Sequence, residues 1–184
     1  RPDIKVIGIQ TEICSPLYTS FYQGKLIHST TYHTLADGIA VKQPSQRTFE
    51  VIQKYVDEMV TVSEEEIIQS LFFCLRYKHI IVEGAGVVGL AALLYQKVKV
   101  TGSTVAVISG GNIDIKLIDA IIRKGMFQIG QYQAFRLLIL DSPGSLKKVL
   151  DLLAKYKANV LNIQHARFRS NIPLGCTEVE IEIE

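Results

Sequence analysis

Short apolar runs alternate with longer amphipathic segments over the first two thirds of the chain. Runs rich in isoleucine and valine lie at Ile4–Ile9, His79–Val82 and Thr104–Ile108, and each ends at polar or glycine residues. Such runs are typical of strands that are buried on both faces of a parallel sheet. The stretches between them are long enough for the crossover connections that parallel strands require. The pattern predicts an α/β fold with a mostly parallel sheet covered by helices.

Helical periodicity fills the stretches between these runs. The helix expected from Glu64 has the clearest start, because Ser63 and Glu66 have the spacing of a capping box. The predicted helices are Arg47–Val56, Glu64–Tyr77, Val87–Gln96 and Asp114–Lys124.

A different pattern begins after Gly125, where a short polar connection precedes new apolar segments. We therefore predict two domains, residues 1–131 and 132–184. In the second, Asp141–Gly144 is a turn sequence, and apolar residues alternate with glutamates after Thr177, as in a sheet with one solvated face. The predicted elements have the order β-α-β-β: strand Phe135–Leu140, helix Ser145–Lys157, strand Asn159–Phe168 and a strand from Thr177.

Composition excludes several classes of protein. Of the 184 residues, 48% are hydrophobic and 21% charged, which is typical of a globular protein. A formal net charge of +2 argues against a nucleic-acid partner, and no apolar run is long enough to predict a membrane span. Three widely spaced cysteines predict neither disulfides nor a zinc site, and they favour the reducing cytoplasm: Cys14, Cys74 and Cys176.

The first glycine-rich junction, Glu83–Gly89, matches G-x-G-x-x-G between a predicted strand and a predicted helix. This pattern is found in dinucleotide-binding loops, but those loops also need an acidic residue at the end of the next strand. Here that strand ends at Ser109–Gly111, which contains no carboxylate. We therefore favour close packing of helix on strand over a nicotinamide site.

The second junction, Ser109–Asp114, follows the third predicted strand. Ligands of open α/β sheets lie beyond the carboxyl ends of strands, so a hydroxyl followed by two glycines is a candidate ligand contact. The alternative is an ordinary turn in which Asn112 caps the next helix. The spacing does not decide between the two.

Three motifs in this order strongly resemble the threonine dehydratases (threonine ammonia-lyases): Ala36–Val41, Glu83–Gly86 and Ser109–Asp114. That family belongs to the fold-type II pyridoxal-phosphate (PLP) enzymes, with serine racemase as a close relative. The sequences Asp141–Leu146 and Ala158–Leu161 resemble an ACT regulatory domain. The resemblance implies the C-terminal part of a fold-type II catalytic domain in residues 1–131 and a partial, ferredoxin-like ACT domain in residues 132–184.

The resemblance also implies cofactor contacts. Ser109 corresponds to the residue that faces the pyridine nitrogen, and Gly110 follows it. Gly38 corresponds to the loop that passes close to the ring, and Glu83 to an acidic residue of the pocket. For Glu83, a purely structural carboxylate that is bonded by the amides of the following glycine turn remains an equal alternative.

The implied reaction is the deamination of L-threonine, or of L-serine, by α,β-elimination, which turns threonine into 2-oxobutanoate and ammonia. The lysine that holds the cofactor (the Schiff-base lysine) is expected upstream of Arg1, so we nominate no catalytic residue and expect this chain alone to be inactive. No metal is expected, because Glu12 has no second acid in Ile13–Ser20. The rival functions are serine dehydration or racemisation, and a non-catalytic amino-acid sensor.

ACT domains pair across subunits and bind amino acids, so the resemblance implies a homo-oligomer under allosteric control. Isoleucine or valine is the expected effector. The free amides of a helix N-terminus suit its carboxylate, which nominates Asp141, Gly144 and Ser145. The alternative is a purely structural dimerisation module, and His165 is interpreted as a structural histidine.

Overall fold

The computed structural model describes residues 3–30, 33–167 and 172–184. The chain forms two compact units, Arg1–Ile122 and Arg123–Glu184, which we call unit 1 and unit 2. This division lies inside a helix, nine residues before the predicted boundary, which was drawn where the composition changes. The assignment of 1–131 and 132–184 to two domain types stays a prediction.

In its described residues, unit 1 contains one parallel pair of strands, β1 (Ile7–Thr11) and β2 (Glu58–Val62). Its helices are α1 (Pro16–Gln23), α2 (Gln46–Tyr55), α3 (Glu64–Phe73) and α4 (Gly84–Leu94), with a 3₁₀ turn at Asp37–Ile39 and a π-helical turn at Cys74–Lys78. The division between the units falls within α5 (Ile115–Gln128). Fully buried side chains of β2, α3, the π-helical turn and α4 form much of the core, and they include Val62, Ile67, Cys74, Val87 and Ala91.

The predicted strand at Ile4–Ile9 corresponds to β1, three residues later at its start. Two other predicted strands, His79–Val82 and Thr104–Ile108, were wrong, because neither segment is a strand in the structure. Val105 and Val107 are 89% and 75% exposed. An apolar run predicts burial, but a strand also needs a neighbouring strand to pair with, and in the described residues β1 and β2 pair only with each other.

Two elements of unit 1 were missed by the sequence analysis. Pro16 opens α1, a favourable first position because proline has no amide to leave unpaired. β2 buries Met59 and Val62 within a segment of only five residues. By contrast, the predicted capping box is confirmed: the Ser63 hydroxyl accepts the Glu66 amide, and the Glu66 carboxylate accepts the Ser63 amide.

Unit 2 has the predicted β-α-β-β order, with β3 (Gln133–Leu140), α6 (Ser145–Lys155), β4 (Val160–Ala166) and β5 (Cys176–Ile183). β5 lies in the middle of an antiparallel sheet of order β3-β5-β4. Val179 and Ile181 are fully buried, as the alternation with glutamates predicts. The strand predicted at Asn159–Phe168 corresponds to β4, and its predicted last residue, Phe168, lies outside the described residues.

No helix in the described parts of the chain is both long and apolar enough to cross a bilayer.

Candidate functional site

The two glycine-containing junctions are joined through their backbones at the N-terminus of α4. The Glu83 amide donates to the Gly110 carbonyl (3.3 Å), and the Ser109 amide donates to the Gly86 carbonyl (3.4 Å). Within the first junction, the Gly86 amide donates to the Glu83 carbonyl (3.0 Å). The segment that carries Ser109 is thus held directly against the first turn of α4.

Gly86 is where the two junctions come closest. A Cβ at this position would lie 1.5 Å from the Ser109 carbonyl oxygen and 2.6 Å from its carbon. At Gly89 a Cβ would make only ordinary contacts, 3.5 Å from the Ala106 Cβ. The first part of the G-x-G-x-x-G pattern therefore serves close packing of helix on chain, which was the favoured interpretation.

The Glu83 carboxylate lies over Gly110. A Cβ at Gly110 would be 2.1 Å from the Glu83 Cδ, and φ at Gly110 is +72°, a conformation that favours glycine. The Glu83 Oε2 accepts the Asn112 amide at 3.3 Å. The amide that Glu83 accepts therefore belongs to the second junction. The purely structural interpretation of Glu83 predicted amides of the first junction instead.

Asn112 was the alternative cap of the following helix. In the structure the side chain that accepts an amide at the start of α5 is that of Asp114, whose Oδ1 accepts the Lys116 amide at 2.7 Å. Asn112 instead serves Glu83 through its own backbone.

Gly38, in the 3₁₀ turn, completes the cluster. A Cβ at Gly38 would lie 3.1 Å from the Ala85 Cβ and 3.6 Å from the Glu83 Oε1. The structure thus brings the four predicted cofactor contacts, Gly38, Glu83, Ser109 and Gly110, to one place at the start of α4.

These residues fit the cofactor implied by the resemblance. Gly38, Ser109 and Gly110 are all exposed, and neither glycine carries a side chain that could cover the Ser109 hydroxyl. A planar ring needs such a surface, and a neutral hydroxyl is a suitable donor to a ring nitrogen.

Glu12, the one candidate metal ligand of the sequence analysis, faces a lysine. The Lys97 Nζ lies 2.9 Å from the Glu66 Oε1 and 3.7 Å from the Glu12 Oε1. The hydrogen bond with Glu66 raises the pKa of Lys97 above its ordinary value. Among the residues that the structure describes, no three potential metal ligands form a group.

In unit 2, the three predicted effector contacts line one concavity of about 230 Å³. The Asp141 carboxylate pairs with the Arg167 Nε at 3.1 Å, and the Ser142 and Ser145 hydroxyls are 2.8 Å apart. The sequence analysis missed Arg167, because it lies 26 residues beyond Asp141 and no motif links the two. Other lining residues include Gly144, Leu146, His165 and Thr177.

Comparison with known proteins finds one matching family and relatives that align along the whole chain. The profile of a family described as pyridoxal-phosphate dependent enzyme matches residues 1–111. The L-threonine ammonia-lyase of Thermotoga maritima is 46% identical over 185 residues, which cover 100% of this chain and 46% of that protein. The chain therefore spans about half the length of this curated relative.

Solved structures resemble the chain as well. The crystal structure of the T.th. threonine deaminase aligns with a TM-score of 0.59 and 28% identity, over 62% of this chain and 42% of that one. The serine racemase of Dictyostelium discoideum aligns with a TM-score of 0.52 and 26% identity, over 62% of this chain and 37% of that one.

Proposed function

Because this chain belongs to the family of pyridoxal-phosphate dependent enzymes, we propose that the protein containing it deaminates L-threonine to 2-oxobutanoate and ammonia. The observation that carries this proposal is the identity of 46% to an L-threonine ammonia-lyase along the whole chain. The meeting of Gly38, Glu83, Ser109 and Gly110 at the start of α4 supports it.

Pyridoxal phosphate, when bound, withdraws electrons from the α-carbon of an amino acid. In the proposed site Ser109 would hold the cofactor by donating a hydrogen bond from its hydroxyl to the pyridine nitrogen. Unlike a carboxylate, a neutral hydroxyl does not keep that nitrogen protonated, so electron withdrawal stays moderate. This favours departure of the β-hydroxyl of threonine as soon as the α-proton has been removed.

The other residues shape the surface around Ser109. Gly38 carries no side chain that could collide with the ring, and Gly110 leaves room for the Glu83 carboxylate, which lies over it. Glu83 holds the second junction through the Asn112 amide and so keeps Ser109 in place.

Product analysis tests the function. The full-length protein is incubated with pyridoxal phosphate and either L-threonine or L-serine, and oxoacid, ammonia and D-serine are quantified. We expect 2-oxobutanoate and ammonia in equal amounts from threonine. No absorbance change on adding pyridoxal phosphate, together with no product, would overturn the proposal.

Serine racemisation is the second candidate, supported by the structural likeness to the Dictyostelium serine racemase. It predicts D-serine without oxoacid in the same experiment. That result would replace threonine deamination as the function.

We also propose that residues 132–184 form part of an ACT domain through which isoleucine or valine regulates a homo-oligomeric enzyme. The concavity of about 230 Å³ is smaller than the pockets of drug-sized ligands and suits a single amino acid. Asp141 and Arg167 offer opposite charges on its wall, which match the amino and carboxylate groups of such a ligand.

Calorimetric titration of the full-length protein with isoleucine and with valine tests the effector site. We expect heat of binding that Asp141→Asn abolishes. Asp151→Asn, at an exposed position of α6, is the matched control and should bind normally. No heat with either amino acid, or equal heat in both variants, would contradict the assignment.

We place the protein in the cytoplasm. Its three cysteines are free thiols, and free thiols persist in reducing compartments. Fractionation of cells that produce the full-length protein would test this.

A further inference from the structure

One carboxylate fixes the backbone of the loop that carries Gly38. Glu64 is the first residue of α3. Its Oε1 accepts the Thr34 hydroxyl at 2.5 Å, and its Oε2 accepts the Leu35 amide at 2.8 Å. The Thr34 oxygen in turn accepts the Ala36 amide at 3.1 Å. A single side chain therefore organises three consecutive residues of the loop.

The same loop packs closely against the start of α4. Ala36 is fully buried. A Cβ at Gly84 would lie 2.1 Å from the Leu35 carbonyl oxygen, so the loop backbone touches the helix backbone. Three residues after Leu35, Gly38 lies beside Ala85 and the Glu83 carboxylate. A shift of the loop at Leu35 would therefore move Gly38 relative to Glu83.

The three consecutive acids at the start of α3 differ in their surroundings. Glu66 completes the capping box and pairs with Lys97. Glu65 is exposed and accepts from Gln69 on its own helix at 3.4 Å. Glu64 is half-buried and bonds across to the loop. Hydrogen bonds to a charged acceptor are stronger than neutral ones, which makes this carboxylate an effective anchor.

We propose that Glu64 is a positioning residue of the cofactor site. It holds the Thr34–Gly38 loop so that Gly38 stays against Glu83, and it acts through the loop. The proposal rests on the proposed function, because it takes Gly38 to lie beside the ring of pyridoxal phosphate. The sequence analysis interpreted this acid only as part of a helix start.

The test measures the dissociation constant of pyridoxal phosphate in variants of the full-length protein. Glu64→Gln and Thr34→Val should each weaken binding about tenfold, since each removes a hydrogen bond that the charged Glu64 carboxylate accepts. Thr34→Ser keeps the hydroxyl and should restore the parent value. Glu65→Gln, the neighbouring acid, is the matched control and should also bind like the parent.

A double variant separates a specific contact from general damage. Glu64→Gln removes the charge from the acceptor of the hydrogen bond that Thr34→Val deletes, so the combined loss should be clearly smaller than the product of the two single losses. Independent losses that multiply would overturn the proposal. The circular dichroism of the bound cofactor should change in Glu64→Gln and not in Glu65→Gln.

Hydrogen exchange of the cofactor-free protein gives a readout that does not depend on the proposed function. Glu64→Gln should speed exchange of the Leu35 and Ala36 amides, and Glu65→Gln should not. Faster exchange with unchanged cofactor affinity would leave Glu64 an anchor without a positioning role and so overturn the proposal. A parent protein that binds no pyridoxal phosphate would instead refute the proposed function. If Glu64→Gln fails to fold, the Thr34→Val and Thr34→Ser pair decides.

Discussion

The same substitution at two glycines of α4 should have opposite effects on stability. Gly86 and Gly89 are three residues apart on one helix. An alanine at Gly86 would place its Cβ 1.5 Å from the Ser109 carbonyl oxygen, whereas an alanine at Gly89 would place it 3.5 Å from the Ala106 Cβ. Only the first contact is impossible without movement.

The size of each effect follows from these distances. Ordinary contact begins at 3.4 Å, so Gly86→Ala must separate α4 from Ser109 by about 2 Å. Because the obstacle is backbone, we expect the upper end of the overpacking range, about 3 kcal/mol. Alanine improves helix propensity by about 1 kcal/mol over glycine. The net effect is a loss of about 2 kcal/mol for Gly86→Ala and a gain of up to about 1 kcal/mol for Gly89→Ala.

Urea-dependent hydrogen exchange of peptides from α4 measures both changes. A probe local to α4 is needed because the chain has two units, which need not unfold together. Gly86→Ala should lower the midpoint by about 1 M urea, given a slope of about 2 kcal/mol per M. It should also weaken cofactor binding in the full-length protein, since Ser109 moves. A Gly86→Ala variant as stable as Gly89→Ala would refute the reasoning.

Other predictions test the units separately. The hydrogen bond with Glu66 raises the pKa of Lys97. The stabilisation of the fold by charged Lys97 is therefore complete below the ordinary pKa of 10.5 and is lost as the pH rises through the higher folded-state pKa. Alkaline unfolding curves of Lys97→Met should lack this loss. Burial raises the pKa of the Cys74 thiol. At neutral pH a thiol reagent should therefore label the partly exposed Cys176 before Cys74, and equal labelling rates at the two cysteines would contradict this. At Gly144 φ is +88°, so Gly144→Ala should destabilise unit 2 by about 1–2 kcal/mol in urea melts, and an unchanged midpoint would contradict the strained backbone.

Local signals predicted local structure well. The capping box at Ser63 and Glu66 is present as predicted, and α6 starts at the predicted Ser145. These features depend on residues close together in the chain, whose hydrogen bonds the spacing alone defines. The alternation of Val179 and Ile181 with glutamates likewise predicted which face of β5 is buried.

Pairing between distant segments could not be predicted in the same way. The run at Thr104–Ile108 is more apolar than β1, yet it lies beside α4 at Gly89 and is not a strand. β2, which does pair with β1, has a weaker signal because Glu58 and Thr61 interrupt it. Which segment finds a partner depends on tertiary contacts that hydrophobicity does not encode.

The motifs predicted the residues of the candidate site, but they did not predict Glu64, which holds one of its loops in place. Gly38, Glu83 and Ser109 were nominated by resemblance, and the structure brings them together. Glu64 was overlooked, because a run of acids in the first turn of a helix has a sufficient explanation in the helix dipole. Its bonds to Thr34 and Leu35 join residues about thirty positions apart, and no sequence period reports them.

The affinity of the full-length protein for pyridoxal phosphate, with and without the Ser109 hydroxyl, tests the central claim most directly. Ser109→Ala removes the proposed donor to the ring nitrogen, and the matched control is Ser103→Ala, at an exposed position before the same segment. We predict that Ser109→Ala raises the dissociation constant about tenfold and slows threonine turnover, while Ser103→Ala changes neither. Equal affinity and equal turnover in the two variants would contradict the account.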